Sequence, residues 1–233
     1  MNGQRRDFFV TGTDTGVGKT LAAASLLRAW RTRGLSVAGM KPVASGAVRT
    51  PDGLRNGDAL VLAAQGSHAW PYETINPYAF EPPIAPHLAA VEAGVEMRLG
   101  PIGQALSRLR EGSDVVVVEG AGGFLVPFAP GRSFADLPAE FGLEIILVVG
   151  LRLGCLSHAF LTAEAITARG LPFAGWVGNR IDKGFDRSEE SLRCLETGLP
   201  AACLGVIPHM SSPEPGGIST HLWRLPTVVA RPA

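Results

Sequence analysis

The chain lacks long apolar runs, net charge, cysteine pairs and histidine pairs, and each absence excludes something. The longest apolar stretch, Ile145–Leu151, is closed by Arg152 and falls far short of the roughly 20 residues of a membrane span. Lys and Arg number 21, as do Asp and Glu, and no polybasic run interleaves with aromatics. No field therefore draws in nucleic acid or an anionic membrane surface. Cys155, Cys194 and Cys203 form no C-x-x-C pair, and an odd count argues against a disulfide framework, so each reads as a small buried hydrophobe. The five histidines offer no pair at metal-ligand spacing, which leaves no zinc site to expect. The opening MNGQRRDFFV has basic residues but no signal-peptide apolar region, so the expectation is a cytoplasmic protein. With 233 residues, 46% of them hydrophobic, the chain suits one domain spanning 1–233 around one core.

What is present is an alternation. Short β-branched runs at Phe8–Thr11, Ser36–Met40, Val115–Val118, Ile145–Val149, Phe173–Gly178 and Leu204–Ile207 read as strands. Between them, Thr20–Arg33, Asp58–Gln65, Pro86–Glu92, Pro101–Glu111 and Ser157–Arg169 read as helices. VVVV and IILVV are apolar on both faces, as parallel strands covered by helices must be. The pattern predicts a doubly wound, mostly parallel α/β sheet. Ser67–Pro83, rich in Pro, Tyr and Asn, reads as an ordered surface loop, and the tail after Pro208, with four prolines, shows little periodicity.

In such sheets ligands sit outside the carboxyl ends of the strands, so the residues after each apolar run are the candidates. Strand one runs into VTGTDTGVGKT. Glycine-loop amides and a helix N-terminus converge on phosphate there, Lys19 adds charge, and Thr20 can bind Mg²⁺. Five residues separate Gly12 from Gly18 where the strict P-loop pattern has four, so the loop is a variant; a glycine turn with a capping Thr is the bland alternative. Lys41 follows strand two and faces either the ligand crevice or plain solvent, and Asp58 stands at a helix N-terminus, as cap or as metal ligand. Glu119 ends the VVVV strand ahead of Gly120-Ala121-Gly122-Gly123, the layout of a Walker-B-like metal carboxylate. Thr20, Asp58 and Glu119 could give one Mg²⁺ three hard oxygen ligands. Gly154-Cys155-Leu156-Ser157 opens a helix whose amides could hold a second anion, unless Ser157 is a plain cap. Asn179-Arg180 ends the fifth strand, where an amide could read a nucleobase edge, and Pro208-His209-Met210 ends the last.

The stretches FFVTGTDTGVGKT, AGMKPVASG, TPDGLRNGDAL, INPYAFEPPIAPHLAA, VVVVEGAGGFLVP, ILVVGLRLGCLSHAFLTAEAI and AGWVGNRI resemble, in this order, the dethiobiotin synthetase family, ATP-dependent enzymes of biotin biosynthesis. They cover most of the chain as far as Ile181, after which only LGVIP continues the likeness. The resemblance implies a homodimer of single-domain, P-loop NTPase-like subunits, with ATP as co-substrate and Mg²⁺. The implied reaction joins CO₂ to 7,8-diaminononanoate. One amine becomes a carbamate, the ATP γ-phosphoryl converts it to a carbamic–phosphoric anhydride, and the second amine closes the ring with loss of phosphate.

On that resemblance, Thr15, Gly16, Val17, Gly18, Lys19, Thr20 and Leu21 would wrap the phosphates, helped by Gly120, Ala121 and Gly122. Lys41 and Lys19 would be the catalytic cations, and Ser45 would orient the diamine or carbamate. Thr20, Asp58 and Glu119 would hold Mg²⁺. Asn179, with Arg180 and Pro208, His209 and Met210 nearby, would take adenine. Gly154, Cys155, Leu156 and Ser157 would bind the substrate carboxylate across the dimer interface. Some family members carry Glu in place of Gly16 and Asn in place of Ser157, so those two contributions differ here. Two rivals share the phosphate loop: a partitioning-type switch ATPase and another ATP-dependent amidating enzyme. The first often places a signature Lys where this chain has Asp14; only substrate-side residues separate the second.

Overall fold

The structure, a computed structural model, describes residues 6–210, 214–222 and 224–230. Parts of the tail after Pro208 and the first five residues of the N-terminal reading therefore lie outside the described residues. Six apolar runs form one parallel sheet: β1 (Phe8–Gly12), β2 (Val37–Met40), β3 (Val115–Glu119), β4 (Glu144–Gly150), β5 (Phe173–Asn179) and β6 (Cys203–Ile207). Their spatial order is β6-β5-β4-β1-β3-β2. β3 and β4 are consecutive in this sheet but flank β1, so the winding reverses across β1 and the loop leaving it stands at the topological switch point. All six carboxyl ends, from Gly12 to Ile207, share one edge.

Five longer helices cover the faces: α1 (Lys19–Arg31), α2 (Gly57–Gln65), α3 (Leu99–Glu111), α4 (Cys155–Ala168) and α5 (Ser188–Gly198). The period-two alternation of a strand divides the core. Phe8 and Val10 pack with Ala22, Leu26, Leu27 and Trp30 of α1, whereas Phe9 packs with Ile102, Leu106 and Leu109 of α3. Phe8 stacks on Trp30 at 5.0 Å between ring centroids. A third cluster sets Leu147, Val149 and Trp176 against Ala159 and Ala163 of α4 and Leu192 and Leu195 of α5. Each such fully buried side chain contributes about 1.5–3 kcal/mol, which is what holds the strand ends, and hence the loops, in fixed register.

The six expected strands and the five expected helices all form, with bounds shifted by two residues at most. Three expectations need correction. Ser67–Pro83 is not a surface loop: it holds a helical turn, Tyr72–Ile75, and a strand, Tyr78–Ala79, paired in parallel with Val43–Ala44, and it buries Ile75, Asn76 and Phe80. Ser157 does not cap α4; Gly154, at φ 91°, is the N-cap and places Ser157 inside the first turn. Cys194 is exposed, because α5 turns Ser191, Leu192 and Leu195 inward, while Cys155 and Cys203 are buried as expected. Among the described residues no helix is long and apolar enough to cross a membrane.

Candidate active site

The loop after β1 is held from beneath. Thr13 N–H donates to Val148 C=O at 3.0 Å, Val17 is buried, and the Asn179 amide from the end of β5 donates to Val17 C=O at 2.9 Å. Gly18 is the N-cap of α1 at φ 90°. A Cβ there would stand 2.1 Å from Asn179 Nδ2, so only glycine supports both the left-handed turn and the close approach. Lys19 folds back to donate to Asp14 C=O at 2.9 Å. Burial, and then the neighbouring Lys41 charge, push its ammonium down to about 8. Asp14 in turn accepts from Thr15 N–H at 2.7 Å and pairs with Arg152.

Across from this loop two strand-end groups, Lys41 and Glu119, meet Asp58 from the first turn of α2. Lys41 Nζ lies 2.6 Å from Glu119 Oε1 and 3.0 Å from Asp58 Oδ2, and donates to Gly120 C=O at 3.2 Å. Thr20 Oγ1 donates to the same Glu119 oxygen at 2.8 Å. The Lys41 and Glu119 side chains are 5% and 1% exposed, whereas Asp58 keeps 46%. Burial alone would push Lys41 down, but Glu119 and Asp58 outweigh it and hold the ammonium charged. Burial works against Asp58 as well, yet Lys41 keeps its carboxyl below the usual range. Asp58 is free for this role because Asn56, not Asp58, caps α2, accepting from Ala59 N–H at 3.2 Å.

Burial pushes the Glu119 carboxyl up, and Lys41 offsets that only in part. Its second oxygen, Oε2, is buried without a hydrogen-bond partner. An orphaned carboxylate oxygen beside a second carboxylate and a threonine hydroxyl fits a hard divalent cation that retains several waters. No group of three or more His, Cys, Asp and Glu suited to a metal occurs among the described residues, so any such site depends on the Thr20 hydroxyl.

A cavity of about 340 Å³ joins the two halves. It is lined by Thr15, Gly16, Gly18, Lys19, Thr20, Lys41, Ser45, Asp58, Glu119, Ala121 and Gly122, together with Ala44 and Asn56, which sequence reasoning missed. Val17, Leu21 and Gly120 lie just behind this wall: Val17 and Leu21 pack into the core and Gly120 accepts from Lys41. Asn179 sits under the loop, and Arg180 is engaged by Ser188 and Glu189 of α5. Pro208, His209 and Met210 follow β6 at the same sheet edge but line no part of this cavity. Gly154, Cys155, Leu156 and Ser157 are also not among its lining residues; Gly154 and Ser157 are exposed. One available signal was scarcity: the sequence has three lysines, Lys19, Lys41 and Lys183, and two of them meet here.

A glycine loop at the switch point of a parallel sheet, ending in Lys-Thr and facing a strand-end carboxylate, defines an α/β protein of the P-loop NTPase class. Solved structures agree on the fold. The MinC:MinD cell division complex of Aquifex aeolicus superposes with TM-score 0.54 at 15% identity, covering 88% of this chain and 82% of that one. A ParA family ATPase of Chlorobium tepidum gives 0.54 at 16%, covering 89% and 86%. A family model described as an AAA domain matches residues 6–215. Among curated proteins, the ATP-dependent dethiobiotin synthetase BioD of Pseudomonas paraeruginosa is 52% identical over 92% of this chain and 95% of its own length. The protein of the same name in Xanthomonas campestris is 48% identical over 94% and 97%. The chain belongs to the dethiobiotin synthetase family of ATP-dependent ligases.

Proposed function

We propose that this chain is a cytoplasmic, single-domain, homodimeric ligase that uses MgATP to convert 7,8-diaminononanoate and CO₂ to dethiobiotin, releasing ADP and phosphate. The observation that carries the reading is the meeting of Lys41 with Asp58 and Glu119 in the cavity that also holds Lys19, Thr20 and Ser45. Kinship supports the choice of substrate. The amides of Gly16–Thr20 and the Lys19 ammonium bind the phosphates, and Lys41 stabilises the carbamate and the transferring phosphoryl group. Ser45 orients the amine end of the diamine. Thr20, Asp58 and Glu119 would hold Mg²⁺, which when bound neutralises phosphate charge. Asn179 and Arg180, with Pro208–Met210, take the adenine end.

A carbamate oxygen is a weak nucleophile, so positioning and fixed cations supply most of the acceleration. One diamine nitrogen adds to CO₂ and loses a proton. The carbamate oxygen then takes the γ-phosphoryl as ADP leaves. The second nitrogen attacks the carbonyl carbon and gives up a proton, and phosphate departs with the electrons of the C–O bond. Gly154–Ser157 would hold the substrate carboxylate of the partner's site. Leu153 and Leu161, 87% and 62% exposed beside that segment, support a second copy covering this face.

The test supplies 7,8-diaminononanoate, bicarbonate and MgATP and follows the cyclic urea by mass spectrometry, with one ADP expected per product. ATP consumption that proceeds equally without the diamine, and yields no urea, would overturn the reading in favour of a switch ATPase.

A further inference from the structure

The lysine and acid arms of the site come from different segments, and a third segment joins them. The Tyr72 hydroxyl accepts from Asn56 N–H at 2.7 Å and donates to Asn76 Oδ1 at 2.9 Å. Asn76 Nδ2 donates to Lys41 C=O at 2.7 Å, and Lys41 N–H returns a bond to Ile75 C=O at 2.8 Å. On the other side, Asn56 caps the helix that carries Asp58 and donates to Ser45 C=O at 3.2 Å. A phenol has one proton to give, and here it is spent on the lysine arm while the lone pair serves the acid arm. Asn76 and Asn56 are buried, and the Arg55 guanidinium lies 4.2 Å over the Tyr72 ring. The ring is thus packed, and its oxygen is fixed in place.

We infer that Tyr72 is a positioning residue, whose hydroxyl sets the spacing between the Lys41 strand end and the Asp58 helix and so holds Lys41 between Asp58 and Glu119. The inference rests on the function proposed above for its catalytic consequence, but not for its geometric one. Losing the hydroxyl leaves Asn56 N–H and Asn76 Oδ1 without their common partner, and the two arms then shift independently. A misplacement of this kind lowers turnover more than ground-state binding.

The chain has one other tyrosine, Tyr78, whose hydroxyl also makes a pair of bonds, to Arg98 N–H and Arg98 C=O. They lead away from the site, which makes Tyr78→Phe the matched control for a merely structural loss. The decisive reading is Mn²⁺ binding to the nucleotide-free protein by electron paramagnetic resonance, because it senses the Asp58–Glu119 geometry whatever the substrate is. Tyr72→Phe should weaken Mn²⁺ binding by about fivefold, and Asn76→Ala, which cuts the same link from its other end, should do the same. Tyr78→Phe should stay within about twofold of the parent. In turnover assays Tyr72→Phe should lower kcat by about tenfold or more, with KM for MgATP rising by no more than about the fivefold lost in Mn²⁺ affinity. Mn²⁺ affinity unchanged in Tyr72→Phe, or lost equally in Tyr78→Phe, overturns the inference. A parent that binds Mn²⁺ but makes no dethiobiotin would instead count against the proposed function alone.

Discussion

Replacing Lys41 by Met tests the electrostatics of the site most severely. The ammonium is 5% exposed, and its 2.6 Å partner Glu119 is 1% exposed. Methionine keeps the length of the stem and removes the charge, so Glu119 is left buried beside the half-hydrated Asp58. Breaking a buried pair from one side costs about 3–5 kcal/mol, because an uncompensated charge remains. With a urea slope of about 2 kcal/mol/M, a loss of about 4 kcal/mol lowers the midpoint by about 2 M. The double variant Lys41→Met/Glu119→Gln removes both charges and should recover most of that loss, since replacing a whole pair by neutral groups is far cheaper than halving it. Mg²⁺ should stabilise the single variant more than the parent, because it supplies the missing positive charge; at a hundredfold excess over Kd the gain is about 2.7 kcal/mol. The measurement is equilibrium urea unfolding of the parent and of both variants, with and without Mg²⁺. A single variant within about 1 kcal/mol of the parent, or a double variant no more stable than the single, would refute the view that Lys41 compensates a buried Glu119.

Gly18→Ala meets both a positive φ and Asn179 Nδ2 at 2.1 Å, and should cost about 2–3 kcal/mol. Thermal unfolding should show MgATP raising the midpoint of the parent but not of this variant; an equal rise in both contradicts the placement of the loop. Leu161→Glu replaces the exposed leucine of α4 by a charge. Sedimentation velocity should find the parent near twice 24.4 kDa and the variant at the single-chain mass, with urea formation lost; an intact dimer would remove that face from the interface. Of the three cysteines only Cys194 is exposed, and burial pushes the Cys203 thiol up to about 11. An aromatic disulfide reagent at pH 8 should therefore titrate one thiol in the native protein and the other two only on unfolding.

The sheet could be read because its signal is dense. VVVV and IILVV are buried on both faces, so no register slip could hide them, and the helices between them follow from the crossover each parallel pair requires. α5 escaped because its apolar positions, Leu192 and Leu195, are diluted by charge. Ser67–Pro83 escaped for a different reason. Its order comes from hydrogen bonds to a distant strand and from burial of Ile75 and Phe80, neither of which leaves a period in the sequence.

The same distinction governs the site. Lys19, Thr20, Lys41 and Glu119 could be found because Glu119 ends a strand, Lys41 follows one directly, and Lys19 and Thr20 close the glycine loop that leaves β1; a parallel sheet delivers all such residues to one edge. Asp58 was half readable: its place at a helix start was evident, but whether it capped that helix depended on Asn56, two residues earlier, whose side chain takes the cap instead. Tyr72 and Asn76 were not readable at all. They are not among the lining residues of the site's cavity and follow no strand, and they act through two backbone groups, Asn56 N–H and Lys41 C=O, that any sequence would possess. Residues that position a charge through backbone contacts are visible only once the chain is folded, whereas residues that present a charge to a ligand are announced by the strand that ends before them.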